Sequence, residues 1–171
     1  AETVSGGSGT LDNLQFAAGT LVVAASDLVN VTGIEVMEIQ NTTQTAGLTL
    51  ADAFFTANGN TALTVNASTM TSGALTLSAS TLSAANSISL NLSSTTHSAT
   101  NAISLGAGND TVRADLIALD AGVISAGAGT DTLVISENTG AGAITQAAGI
   151  TGFETVTFLT AAGVHNCITN N

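Results

Sequence analysis

Two short stretches carry the residue types that could do chemistry. Gly106-Ala107-Gly108-Asn109-Asp110-Thr111-Val112 returns as Gly127-Ala128-Gly129-Thr130-Asp131-Thr132-Leu133, 21 residues later (131 − 110). Glycine permits backbone conformations that turn carbonyl oxygens inward, and aspartate supplies a hard anionic oxygen. An ion between two stacked turns would draw ligands from both. The candidate ligands are therefore Gly106, Gly108, Asn109, Asp110, Gly127, Gly129 and Asp131, and the chemistry is that of Ca2+. Asp115 and Asp120 lie between the turns and either complete the coordination or stay solvated in the loop. A competing reading needs no metal, because an aspartate in such a turn also caps nearby backbone N–H groups.

The other chemistry-bearing residues do not assemble into a site. Glu35 and Glu154 occupy matching positions in Thr32-Gly33-Ile34-Glu35 and Thr151-Gly152-Phe153-Glu154. A glycosidase needs its two carboxyl groups about 5–10 Å apart; these stand a whole module apart and read as a structural echo. His97 and His165 have no partner at metal-ligand spacing and belong to no nucleophile–base set. The glycine-rich stretches lack the lysine of a phosphate loop. Cys167, the single cysteine, cannot form an internal disulfide. Twelve acids face one basic residue, Arg113, for a net charge of −11. Such a chain repels nucleic-acid phosphates and anionic membrane and attracts cations. No apolar run reaches the roughly 20 residues of a membrane helix. These features predict no enzyme activity, no nucleic-acid partner and no membrane insertion.

The turns need elements to position them, and repetition is the strongest organising signal. "NVTGIEVMEI" (30–39) matches "GITGFETVTF" (149–158) at an offset of 119 (152 − 33), and "SGGSGTLDNL" (5–14) matches "SAGAGTDTLV" (125–134) at 120 (129 − 9). One module over 5–124 and the start of the next over 125–158 follow, with 159–171 as a possible tail, all within a single repetitive region over 1–171. Inside the module, "ALTV" (62–65), "ALTL" (74–77), "SISLNL" (87–92) and "AISL" (102–105) alternate apolar with small polar residues, the pattern of half-buried strands. "TLVVAA" (20–25) and "GLTL" (47–50) read as further strands, and only "LDNLQFAAGTLVVAASDLV" and "LADAFFTAN" admit short helices.

A hydrophobic share of 44% argues against disorder, and short strands without helical crossovers point to an all-β, right-handed parallel β-solenoid, with a β-sandwich as competitor. A narrow lumen accounts for abundant small aliphatics with few aromatics. The absence of proline leaves strand N–H groups free for ladders along the axis. Coils of ~20 residues would number about eight and make a rod on the order of 40 Å long.

The two turns resemble the calcium-binding repeat G-G-x-G-x-D-x-U-x, in which U is apolar. Gly106, Gly108, Asp110 and Val112 fall on its second glycine, third glycine, aspartate and apolar positions, as do Gly127, Gly129, Asp131 and Leu133. Leu105 and Ala126 replace the first glycine. With "GAGTDTLVIS" followed by "ITGFETVTF", the chain is similar to the RTX (hemolysin-type) calcium-binding repeat proteins, closest in style to RTX-containing bacterial surface-layer proteins. In the matching stretch 5–14, Leu11 stands at the aspartate position and Asp12 follows it. The resemblance implies calcium-dependent folding, type I secretion and an extracellular, cell-surface location. It further implies a structural protein that self-assembles into a surface layer or filament. The alternatives are an adhesin segment binding cell-surface polysaccharide or another surface, and a non-catalytic RTX module of a secreted enzyme.

Overall fold

The computed structural model describes residues 2–9, 11–17, 19–40, 44–70, 72–93, 100–115, 119, 122–136, 144–145, 149–159 and 167–168. The first strands are β1 (Val4–Ser5), β2 (Asn13–Phe16), β3 (Leu21–Val23), β4 (Val31–Thr32), β5 (Val36–Ile39) and β6 (Ala46–Thr49). After helix α1 (Asp52–Asn58) come β7 (Ala62–Asn66), β8 (Leu75–Ser78), β9 (Ser87–Leu92), β10 (Ala102–Ser104) and β11 (Thr111–Ala114). Then follow β12 (Val123–Ser125), β13 (Thr132–Ile135), β14 (Ile144–Thr145), β15 (Ile150–Thr151), β16 (Thr155–Phe158) and β17 (Cys167–Ile168).

These strands build a parallel β-solenoid. The two main sheets have seven strands in the order β16-β13-β11-β9-β7-β5-β2 and six in the order β15-β12-β10-β8-β6-β3, and β1-β4 and β14-β17 form two-stranded pairs beside them. The chain alternates between the two sheets, and every strand pair among the described residues is parallel. An antiparallel sandwich is thereby excluded. Coils are longer than the expected ~20 residues: Asn13 pairs with Val36, Val36 with Thr64, and Thr111 with Thr132, steps of 23, 28 and 21. Six steps of about 4.8 Å across the larger sheet give a stack of roughly 29 Å, shorter than the sequence predicts.

Alternation sets each strand's faces. In β9, Ile88, Leu90 and Leu92 are buried while Ser89 is exposed. In-register pairing stacks the inward residues into columns. Leu14, Met37, Val65, Leu90, Val112, Leu133 and Val156 form one. Val23, Leu48, Leu77, Ile103, Ile124 and Ile150 form the column of the other sheet. Outward residues stack likewise: Gln15, Glu38, Asn66, Asn91, Arg113, Val134 and Thr157 share one column of the larger sheet. Thr49, Ser78, Ser104, Ser125 and Thr151 share one of the smaller sheet.

The 28-residue step contains α1, which seals one side of the core with Phe54 and Phe55, packed edge to face at 5.5 Å. It stops at Gly59, whose φ of 68° suits glycine and whose N–H bonds the Thr56 carbonyl. Asn58 then ties helix to solenoid, accepting the Ile34 N–H at 2.7 Å and donating to the Val31 and Phe54 carbonyls. In the other stretch that admits a helix, residues 11–29, the chain forms β2, β3 and a short 3-10 turn at Ala25–Leu28.

Candidate metal centre

Register places the two aspartates at an inward-facing position. Reading the sheet pairs one residue upstream of Thr111 gives the column Asp12, Glu35, Leu63, Ile88, Asp110, Asp131, Glu154. Leu63 and Ile88 are each 1% exposed, Asp110 is 1% and Asp131 is 0%. Two carboxylates therefore stand in a row where the neighbouring coils put aliphatic side chains. Each reaches back one coil to a backbone donor. Asp110 Oδ1 accepts the Ile88 N–H at 2.6 Å, Asp131 Oδ1 the Asp110 N–H at 2.7 Å, and Glu154 Oε2 the Asp131 N–H at 2.7 Å. The metal-free reading of the turns thus describes one oxygen of each aspartate.

The second oxygens remain. Asp110 Oδ2 and Asp131 Oδ2 are buried with no hydrogen-bond partner among the described residues. Burial pushes the Asp110 carboxyl up to about 6, and the charge of Asp131 adds to this; the N–H groups of Ile88 and Gly106 pull the other way. Asp131 is raised too, by burial and by the charge of Glu154. An orphaned, buried, anionic oxygen in each of two adjacent coils is satisfied by a proton or by a hard cation. Oxygen donors of this kind fit calcium. Among the described residues no three His, Cys, Asp or Glu side chains group around one point, so a calcium ion here would also draw on backbone carbonyls or further oxygen donors.

The glycines allow close stacking. A Cβ on Gly127 would collide with the Gly106 carbonyl, one on Gly129 with that of Gly108, and one on Gly108 with that of Asn86. Gly127 and Gly129 also have φ of 98° and 132°. The Gly106 carbonyl accepts the Ala128 N–H at 3.0 Å, so it already serves the coil-to-coil ladder. Asn109 is exposed, and its side-chain oxygen accepts the Thr130 N–H at 2.9 Å, joining the two turns at their rim. Asp115 is buried just past β11, while Asp120 lies outside the described residues, as do His97 and His165.

The repeat of 119 residues is a repeat of bonds. Asp12 matches Asp131 (131 − 119) and Glu35 matches Glu154 (154 − 119). Glu35 Oε2 accepts the Asp12 N–H at 2.9 Å, as Glu154 does that of Asp131. Leu11 is 79% exposed, so Asp12 rather than Leu11 takes the aspartate place, and its Oδ2 is likewise buried without a partner among the described residues. One inserted residue, in "GSGTLD" against "GAGTD", hides this in the sequence. Glu35 and Glu154 stand five coils apart, roughly 24 Å, too far for paired acid–base chemistry. Glu35 is held below the usual carboxylate range by the Asn60 amide and the Asp12 N–H. Two further caps were not evident from sequence: buried, uncharged Asn101 accepts the Leu75 N–H at 2.9 Å, and the Asp52 carboxylate accepts from the Ser83 N–H and the Asn86 amide. No family model, curated protein or solved structure matches the chain.

Proposed function

We propose that the chain is an extracellular structural solenoid, stabilised by calcium at Asp110 and Asp131, that self-assembles into a bacterial surface layer or surface filament. The observation that carries this reading is a pair of buried carboxylate oxygens in adjacent coils with no hydrogen-bond partner among the described residues. Bound there, calcium would supply positive charge that offsets the mutual repulsion and desolvation of the two aspartates. The chain's own residues supply the frame. Ile88 and Asp110 N–H groups orient the carboxylates, and the glycine turns let the coils stack closely, which would allow both carboxylates to share one ion. Resemblance to RTX surface-layer proteins supports the assembly and the secretion route. Circular dichroism with calcium and with chelator, followed by electron microscopy of the same sample, tests it: ordered polymers should form in calcium and disperse on chelation. A folded, monomeric protein at high concentration with calcium contradicts it.

A second reading, a surface- or glycan-binding adhesin segment, is favoured by one specific observation. Thr49, Ser78, Ser104, Ser125 and Thr151 align in one outward column despite unequal sequence intervals. Saturable binding to a polysaccharide by a monomer would select this reading over assembly.

A further inference from the structure

The outer face of the seven-stranded sheet carries two charges in a self-complementary order. Its strands contain one acid, Glu38, and the only basic residue of the chain, Arg113, in a molecule of net charge −11. They lie in one outward column, Glu38 at the second position and Arg113 at the fifth. Asn13 and Gln15 each donate to Glu38 Oε2 at 2.9 Å, fixing its carboxylate on the face. Arg113 is exposed, and no described carboxylate pairs with it.

We propose that this face docks on the same face of a second copy with the solenoid axes antiparallel, Glu38 of each copy meeting Arg113 of the other. A two-fold axis along the strands reverses the order of the coils and keeps each residue's place along its strand, so the column faces itself. Centred between Asn66 and Asn91, this operation sets Glu38 opposite Arg113 twice and Asn66 opposite Asn91 twice. In the neighbouring column it sets Val36 against Thr111 and Thr64 against Ser89, side chains of similar bulk. A shift of one coil leaves both charges facing Asn, Gln or Val, and parallel axes put like on like. Unpaired or like charges at an interface are costly, so the pattern selects one orientation and one register.

The overlap of six strands covers roughly 24 by 13 Å, about 300 Å², against the ~800 Å² per partner of a stable complex. The pair is therefore weak alone and concentration-dependent, and gains strength where many copies pack side by side. It deepens the assembly reading by naming a lateral contact, and its determinant is separate from the calcium column.

Sedimentation velocity over a concentration series, in about 0.15 M salt to screen the net charge and at millimolar calcium, tests the contact. The proteins are wild type, Glu38→Arg, Arg113→Glu and the double reversal, each checked for folding by circular dichroism. Each single reversal makes both reciprocal pairs like-charged and should weaken association at least about tenfold, and the double reversal should restore it to near wild type. A wild type that stays monomeric, single reversals without effect, or a folded double reversal that stays dissociated overturns the proposal. Calcium polymers that disperse on chelation yet ignore the reversals overturn this contact and leave the assembly reading standing. Reversal-sensitive pairs that ignore chelation support the contact against that reading.

Discussion

Asp110 and Asp131 stand at a core-facing position that adjacent coils fill with Ile88 and Leu63, and the chain bears the cost of burying them. With calcium chelated, this cost appears as a pH dependence. Asp110, raised to about 6, binds its proton more tightly folded than unfolded. Its contribution is therefore favourable in acid and lost as pH rises through about 6, on the order of 3 kcal/mol. Glu35 and Asp52 are shifted the other way, and their contribution is lost as pH falls through their lowered folded values. Calcium-free protein should therefore melt lower at pH 7.5 than at pH 5. A melting temperature that climbs steadily from pH 5 to 7.5 would contradict the assigned burial. Asp110→Asn keeps an acceptor for the Ile88 N–H and removes the charge, so it should reduce that slope to the part Asp131 contributes and weaken the calcium response. Asn101→Ala removes an uncharged cap from the Leu75 N–H; it should cost about 1–3 kcal/mol in denaturant melts and leave the calcium response intact. Asp110 and Asp131 were legible in the sequence because glycine spacing marks them. Asp12 was not, because Leu11 breaks the motif by one residue, and Asn101 was not, because a capping asparagine looks like any other in a chain rich in them.

Strands and turns obey the stacking of backbone on backbone. Gly127→Ala would place a methyl group against the Gly106 carbonyl at a φ of 98°, and should cost roughly 1–3 kcal/mol or more by forcing the coils apart. Gly47→Ala would meet only the Leu21 carbonyl at 3.7 Å, an ordinary contact, and should fall within about 0.5 kcal/mol of wild type. Equal losses for the two variants would refute the role given to close stacking. Alternation alone located strands such as Ser87–Leu92, since Ile88, Leu90 and Leu92 must face one way. It did not reveal the coil length. The helix Asp52–Asn58 lengthens one coil of the seven-stranded sheet to 28 residues while its others take 21 to 25, so positions stacked in space are unequally spaced along the chain. For the same reason the hydroxyl column from Thr49 to Thr151 is regular only in the folded molecule.

The whole molecule is a charge-poor solenoid with an acidic column that calcium would complete. The stretch 59–105 holds no Asp, Glu, Lys or Arg, so few charges there oppose strand-edge or face-to-face association. The remaining acids set a net charge of −11, which resists assembly until cations offset it. Calcium at the column of Asp110 and Asp131, as proposed, would stabilise the fold. Extracellular calcium modules bind at roughly 10⁻⁴–10⁻³ M, so millimolar calcium should add about 1–2 kcal/mol for one site, a rise of roughly 2–8 °C in a domain of this size. The most direct measurement is a calorimetric melt of the wild type and of Asp110→Asn/Asp131→Asn, each in millimolar calcium and in chelator at pH 7.5. The wild type should melt higher in calcium and the double variant should melt alike in both; a wild type whose melting temperature is the same in calcium and chelator would contradict the claim.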